Sequence, residues 1–125
     1  MLLPLVLAWT ACNDYPIDED GLLITTRSEC YVSSFELLGT DQRSVIVDVA
    51  TVDTVAQEIH AEVNFGTDLH ALWPQFTLVT DAKLEPKVTG FVDFSDLDNP
   101  RQWTVVSGNR KVRKTYTVYI TVQNP

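Results

Sequence analysis

The two histidines of this 125-residue sequence do not have the spacing of a catalytic or metal centre. His60 alternates with Glu62 in a strand-like segment and is expected on its outer face, whereas His70 falls in a turn segment. There is no H-E-x-x-H pattern and no Cys/His cluster with zinc-ligand spacing. Nucleophile-elbow, P-loop and dinucleotide-binding motifs are also missing from the sequence. We therefore expect no catalytic residue, no metal and no cofactor.

Carboxylates are the remaining catalytic candidates, and Asp93, Asp96 and Asp98 lie close together in one polar segment. Their spacing is not that of an EF-hand calcium loop. A pair of carboxylates acting on a glycosidic bond needs an open cleft with the carboxyl groups about 5–10 Å apart. The sequence predicts a protein that is not an enzyme, and such a carboxylate pair is the alternative.

Two groups of side chains could bind a ligand. Arg110, Lys111, Arg113 and Lys114 form a basic cluster, of which the first three are the candidates for binding an anionic glycan or an acidic protein surface. The alternative for this cluster is a solvated hairpin whose charges protect a sheet edge. Trp73 is the aromatic residue most suited to stacking on a sugar ring, with core packing as its alternative, whereas Trp103 is expected in the core.

The N-terminal residues suggest export and lipidation. Residues 1–11 are uncharged and mostly apolar, Cys12 follows small residues, and an acidic run comes next. This order is typical of a lipoprotein signal that is cleaved before a cysteine. We expect 1–11 to be the remnant of the signal, Cys12 to be lipidated, and 12–21 to be an acidic linker. Trp9 and the missing basic segment depart from the usual signal, and an apolar strand is the alternative.

The overall charge restricts the partners. The formal net charge is −8 and the sequence pI is about 4.5, so the chain lacks the basic footprint of a nucleic-acid-binding protein. The same sign disfavours direct binding to anionic lipid headgroups and fits a self-repelling monomer. The sequence contains no apolar run of the length that a transmembrane helix needs.

The pattern over 22–125 predicts one all-β domain. Alternation is strict over 59–65, with Phe65 expected inward, and again over 114–122. A single helical turn is expected over 67–72, between a capping residue and Pro74. The spacing of the turn residues predicts an immunoglobulin-like β-sandwich of seven or eight short strands. The predicted strands are 22–26, 31–38, 44–52, 59–65, 76–79, 83–88, 102–106 and 114–122.

The second half of the chain also resembles a known family. The matching motifs, in order, are GTDL at 66–69, LWP at 72–74, DFS at 93–95 and YTV at 116–118. With these motifs the chain resembles the immunoglobulin-like domains of Bacteroidetes surface lipoproteins, many of unknown function. The resemblance implies a scaffold in an outer-membrane lipoprotein, placed at the cell surface. The acidic run after Cys12 resembles the surface-export tags of such lipoproteins.

The combined prediction is a non-catalytic cell-surface lipoprotein module: a spacer, an adhesion domain or an assembly component, with a role in glycan utilisation. Its expected partners are the lipid anchor in the outer membrane and either a glycan or another surface protein. The alternative is a small dedicated lipoprotein that binds a glycan or other ligand through Trp73 and the basic cluster.

Overall fold

A computed structural model describes residues 16–125. Within this range the chain forms seven strands and no helix, which confirms the predicted all-β class. None of the described residues belongs to a helix long and apolar enough to cross a bilayer. The strands are β1 Val32–Leu38, β2 Thr51–Asp53, β3 Glu58–Val63, β4 Trp73–Leu78, β5 Lys83–Glu85, β6 Arg101–Val106 and β7 Arg113–Val122.

The strands form two sheets that share one core, consistent with a β-sandwich. The larger sheet has the order β2-β3-β7-β6-β5, and the smaller one pairs β1 with β4. β3 and β7 are parallel, from Glu58 opposite Thr117 to Val63 opposite Val122, and the other pairs are antiparallel. The immunoglobulin-like assignment stays a prediction.

Alternating apolar residues of the strands build the core. Phe35 of β1 meets Phe76 of β4 at a ring distance of 4.9 Å, and Phe76 meets Trp103 of the larger sheet at 5.1 Å. This aromatic series connects the two sheets, and it confirms that Trp103 is a core residue. The Tyr116 hydroxyl in β7 accepts a bond from the Val32 amide at 3.4 Å, which adds a polar link between the sheets.

The structure corrects two sequence expectations about residues 65–72. Residues 67–72 form turns instead of a helical turn, because the Asp68 carboxylate accepts the His70 amide at 3.0 Å and Leu72 pairs with Val92. Phe65 lies beyond the end of β3 and is 63% exposed, so its predicted inward position is wrong.

The first and third predicted strands also differ from the structure. Segment 22–26 contributes only an isolated bridge between Leu23 and Ile17, because it pairs with a turn and a hairpin instead of a strand. Segment 44–52 is mostly irregular, with single bridges at Ser44 and Ile46 before β2 begins. The remaining strands lie within a few residues of their predicted positions.

We predict that the core position Phe94 carries far more stability than an exposed phenylalanine. Phe94 is 4% exposed, and its ring lies 5.9 Å from that of Trp103. Phe94→Ala should lower the free energy of unfolding in urea by about 3 to 5 kcal/mol, because it removes a buried ring and leaves a cavity. The matched change Phe65→Ala should alter it by less than about 0.5 kcal/mol. Equal effects of the two changes would contradict this packing.

Candidate functional site

The basic cluster does not form one ligand site, because its residues have different surroundings. Arg110 is the most buried of them, and its Nε donates to the Asp18 carboxylate at 2.9 Å. Its terminal nitrogens donate to the carbonyl oxygens of Ser107 at 2.8 Å and Leu23 at 3.1 Å. The guanidinium of Arg110 therefore holds the N-terminal segment against the β6–β7 hairpin.

The other basic residues of the cluster lie apart from Arg110. Arg113 forms an ion pair with Glu85 across the sheet. Lys111 is exposed at the hairpin, and its backbone amide donates to the Asn109 side chain at 2.9 Å. Within residues 16–125 neither Lys111 nor Lys114 forms a salt bridge, which agrees with the alternative of a solvated hairpin.

Asp18 and Lys83 form the centre of a buried ion cluster. The Lys83 ammonium lies 2.7 Å from Asp18 Oδ2 and 2.8 Å from Asp20 Oδ2. The side chains of Asp18 and Lys83 are only 3% and 6% exposed. Asp18 also accepts the backbone amides of Asp20 and Leu22, both at 2.9 Å. Residues 16–21, within the segment expected to be a linker, are thus attached to β5 and to the hairpin.

The electrostatics of the cluster follow from these contacts. The Lys83 hydrogen bond, supported by the Leu22 amide and Arg110, holds the pKa of Asp18 well below its usual range, although burial opposes this. The bonds to Asp18 and Asp20 raise the pKa of Lys83 above its usual range, again against the effect of burial. Both groups are therefore charged at neutral pH, and each is stabilised by the other.

A close backbone approach completes the attachment of the N-terminal segment. The Thr25 amide donates to the Gly108 carbonyl at 2.9 Å, and the Asn109 amide donates to the Arg27 carbonyl at 2.8 Å. A Cβ at position 108 would collide with the Thr25 hydroxyl and lie 2.9 Å from Asp81 Cβ. Only glycine allows segment 25–27 to lie this close to the hairpin.

Three acids come together beside this cluster, but a lysine already occupies the space between them. Glu19, Asp20 and Glu85 place carboxylate oxygens within 4.8 Å of one another. The Lys83 ammonium lies 3.5 Å from Glu19 and 3.6 Å from Glu85. Its positive charge balances the acids where a cation would otherwise bind.

The carboxylates of the 93–98 loop cap their own turns. Asp93 accepts the Ser95 amide at 2.8 Å, and Asp96 accepts both the Asp98 amide at 3.2 Å and the Asn99 side chain at 2.9 Å. Bonds from Ser95 lower the pKa of Asp93. A general acid of a glycosidase needs the opposite shift, so Asp93 is unsuited to that role.

Trp73 is half-buried on the outer side of the small sheet. It pairs with Leu38 across the sheet, and its ring meets that of Phe91 edge-on at 5.4 Å and 82°. Phe91 itself is 45% exposed. The aromatic surface predicted at Trp73 therefore extends to Phe91, which sequence reasoning missed.

Phe91 borders a groove of about 200 Å³ between loop 86–92 and the start of β6. Its polar and charged lining comes from Lys87, Thr89, Arg101 and Gln102. A second aromatic pair, the stacked rings of His60 and Tyr119 at 5.0 Å, lies on the outer face of the large sheet. Among these surfaces, the groove brings an exposed aromatic ring and two cations together.

The structure describes one of the two cysteines. Cys12, the predicted lipidation site, lies outside the described residues. Cys30 is buried, and its thiol donates to the Val105 carbonyl at 3.1 Å. Burial raises the pKa of the Cys30 thiol, so it is a packed core group and not an activated nucleophile.

The fold defines a small β-sandwich module. The chain belongs to the SGBP N-terminal family, whose model matches residues 34–120. This membership makes it a surface domain associated with glycan binding. No curated protein matches the chain.

Solved structures of Bacteroides proteins share the fold. A candidate glycoside hydrolase from Bacteroides thetaiotaomicron has a TM-score of 0.65 and 25% identity, over 88% of this chain and 28% of that one. A domain-of-unknown-function protein from Bacteroides eggerthii has a TM-score of 0.57 and 18% identity, over 78% and 22%. A candidate secreted protein from Bacteroides fragilis has a TM-score of 0.51 and 12% identity, over 77% and 97%. The chain thus spans about a quarter of the length of the first two proteins.

We predict that the ion cluster contributes to the free energy of unfolding only within a defined pH range. The contribution of Asp18 should be full above about pH 4, the ordinary carboxyl pKa, and lost as pH falls towards its lowered folded pKa. The contribution of Lys83 should be full below about pH 10, the ordinary pKa of lysine. It should be lost as pH rises through the raised pKa of Lys83 in the folded protein.

Urea unfolding of Asp18→Asn across pH 2 to 9 checks the acid side of this pH range. The variant should be less stable than the wild type at pH 7, and the difference should shrink below about pH 4. The control Asp98→Asn, at an exposed acid, should follow the wild-type profile. A constant difference across the whole range would show that Asp18 does not act through its charge.

Proposed function

We propose that this protein is a non-catalytic module at the cell surface. It serves as a rigid spacer that takes part in surface glycan binding. The observation that carries the proposal is the position of the two ends of the described chain. Asp18 and its neighbours are fixed at the β6–β7 hairpin, where β7 begins. β7 then runs for ten residues, about 30 Å, to the opposite end of the sheet.

Fixed attachment at one end suits a module that transmits orientation. A loose linker would let the domain rotate freely relative to whatever precedes it. Here the ion cluster, Arg110 and the Gly108 contact hold 16–27 on the sheet. A group attached before residue 16 and one attached after Val122 would be held on opposite sides of a rigid body.

Cys12 provides the membrane attachment in this proposal. Diacylglycerol on its thiol would bury methylene groups at about 0.8 kcal/mol each, and several acyl chains give stable anchoring. The family, which is associated with surface glycan binding, supports a cell-surface location. We further propose that the sandwich is immunoglobulin-like, works as a monomer, and uses neither cofactor nor nucleic acid.

The non-catalytic role is supported by the surroundings of the acids. Asp93 is held ionised, and Asp96 caps the turn that contains it. The His70 ring contacts the Asp68 carboxylate at 3.1 Å on an exposed turn, and His60 contacts Glu58 at 3.1 Å on the large sheet. Both pairs lie on exposed surfaces, whereas a catalytic acid and base are usually held together in a cleft.

The alternative function is a small dedicated glycan-binding lipoprotein. It is favoured by the exposed ring of Phe91 beside Trp73, because aromatic faces pack on the C–H surface of sugars. In that case the module would bind its own ligand as well as hold an orientation. The two roles are compatible, and they differ in whether the isolated chain binds a glycan.

We predict that Cys12→Ala moves the protein from the membrane to the soluble fraction in a Bacteroidetes host, because the acyl chains are its anchor. The matched control Cys30→Ala, which changes the buried cysteine, should stay in the membrane fraction. Immunoblotting of separated fractions and antibody labelling of a C-terminal epitope on intact cells measure both results.

Two results would contradict the proposal. Membrane retention of Cys12→Ala would exclude lipidation as the anchor. Release of reducing sugar from polysaccharides by the purified wild-type protein, abolished by Asp93→Asn, would exclude a purely non-catalytic role.

A further inference from the structure

The loop between β5 and β6 is unusually long for a small sandwich. The strand bounds leave fifteen residues, 86–100, without a strand of their own. Loops of this length inside compact domains are uncommon, and ordered ones usually serve a function. This loop is ordered by its contacts, so its length is not explained by disorder.

Backbone contacts fix the centre of the loop. Val92 and Leu72 exchange two backbone hydrogen bonds, at 2.7 and 3.1 Å. The Phe94 amide donates to the Leu69 carbonyl at 2.7 Å, and the Phe94 side chain is buried in the core. Phe91 precedes these two anchored residues, so its position is set by rigid neighbours.

The exposed ring of Phe91 is therefore held in place before any ligand arrives. It is 45% exposed, and Trp73 supports it edge-on. A preorganised aromatic ring costs little further conformational entropy on binding, which is the property of an anchor residue in a recognition site. Trp73 does not line the groove, so its role is to position Phe91.

The floor of the groove is the part of β6 that extends past its neighbour. β5 pairs with β6 only from Thr104 to Val106, so Arg101, Gln102 and Trp103 extend beyond β5 on the groove side. The Gln102 side chain also reaches Thr117 at 3.1 Å, which fixes its amide. The groove thus combines a rigid aromatic wall with a polar floor.

Two cations line this groove, on a protein whose formal net charge is −8. The Lys87 side chain is 61% exposed, and its nearest carboxylate, Asp20, is 4.0 Å away. Arg101 donates its Nε to the Asp93 carbonyl at 3.0 Å, which orients the guanidinium. Within residues 16–125 Arg101 forms no salt bridge. Because the net charge of −8 disfavours anions in general, an anionic ligand needs local cations such as Lys87 and Arg101.

We propose that this groove, formed by Phe91, Lys87, Arg101 and Gln102, binds a glycan chain that contains uronate sugars. The sugar ring packs on Phe91, its carboxylate pairs with Lys87 and Arg101, and a hydroxyl contacts Gln102. Guanidinium and carboxylate groups form the stronger, charge-assisted class of hydrogen bond. This inference rests on the proposed role in glycan binding, and it assigns this chain a sugar contact of its own.

Calorimetric titration of the purified protein with polygalacturonate tests the proposal. Fully methyl-esterified polygalacturonate is the matched neutral probe, because it keeps the ring and removes the charge. We expect weak binding to polygalacturonate, at least tenfold weaker binding to the ester, and a decrease with rising salt. Hyaluronan, which carries uronate in a different linkage, separates a general uronate site from one shaped for galacturonate.

Substitutions in the groove test whether the polygalacturonate binds there. Phe91→Ala and Lys87→Met should each weaken polygalacturonate binding at least fivefold while the variant keeps the folded β-sandwich, because neither side chain belongs to the buried core. The matched controls Phe65→Ala and Lys111→Met should bind as the wild type does. Phe91→Tyr should retain binding, since it keeps the aromatic face.

Four results would overturn the inference, and the first three come from the titrations. They are no binding to either uronate polymer, equal binding to the methyl ester, or equal losses in the groove and control variants. Recovery of a protein partner on the groove in place of a glycan would also overturn it. None of these results would alter the membrane fractionation expected for Cys12→Ala, so this inference and the proposed surface role fail separately.

Discussion

The buried ion pair between Asp18 and Lys83 is the constraint on which the arrangement of this domain depends. Removing two charged side chains from water is costly, and only close partners and additional hydrogen bonds offset that cost. Lys83 lies on β5, and Arg110 lies on the β6–β7 hairpin, so two cations meet at one carboxylate. Without Asp18 these cations would face each other at a partly buried position. The N-terminal segment is therefore an integral part of the domain.

The same constraint relates the two proposed roles. Fixing segment 16–27 at the hairpin sets the direction from which the chain enters the sandwich. It also places Asp20 near Lys87, at the edge of the groove that carries Phe91. The spacer role thus depends on the ion cluster, whereas the glycan contact depends on the anchored loop between β5 and β6. Both use rigid backbone to present groups whose positions matter.

The sequence correctly predicts the strands in which apolar and polar residues alternate strongly. It does not predict the contacts that form between residues far apart in the chain. The sequence predicts β3 and β7 because their apolar residues recur at every second position. Arg110 and Asp18 are 92 residues apart in the chain, so nothing local indicates that the predicted ligand-binding arginine is an internal ion-pair partner. Phe91 was missed because a lone phenylalanine in a loop looks like a core residue. The fifteen residues between Glu85 and Arg101 were the available signal for that loop.

Hydrogen exchange at two backbone amides tests the central claim most directly. The Ile24 amide donates to the Pro16 carbonyl and the Thr25 amide to the Gly108 carbonyl, both at 2.9 Å, so neither uses the Asp18 side chain as its acceptor. At pH 7 both amides should exchange slowly in the wild type and much faster in Asp18→Ala. In that variant the exchange rates of the β6 and β7 amides should stay as in the wild type. In the control Asp98→Ala all of these rates should equal those of the wild type. Two results would contradict the view that the buried ion pair holds the N-terminal segment on the domain. One is exchange at Ile24 and Thr25 that is already as rapid in the wild type as in Asp18→Ala, and the other is protection in Asp18→Ala as strong as in the wild type.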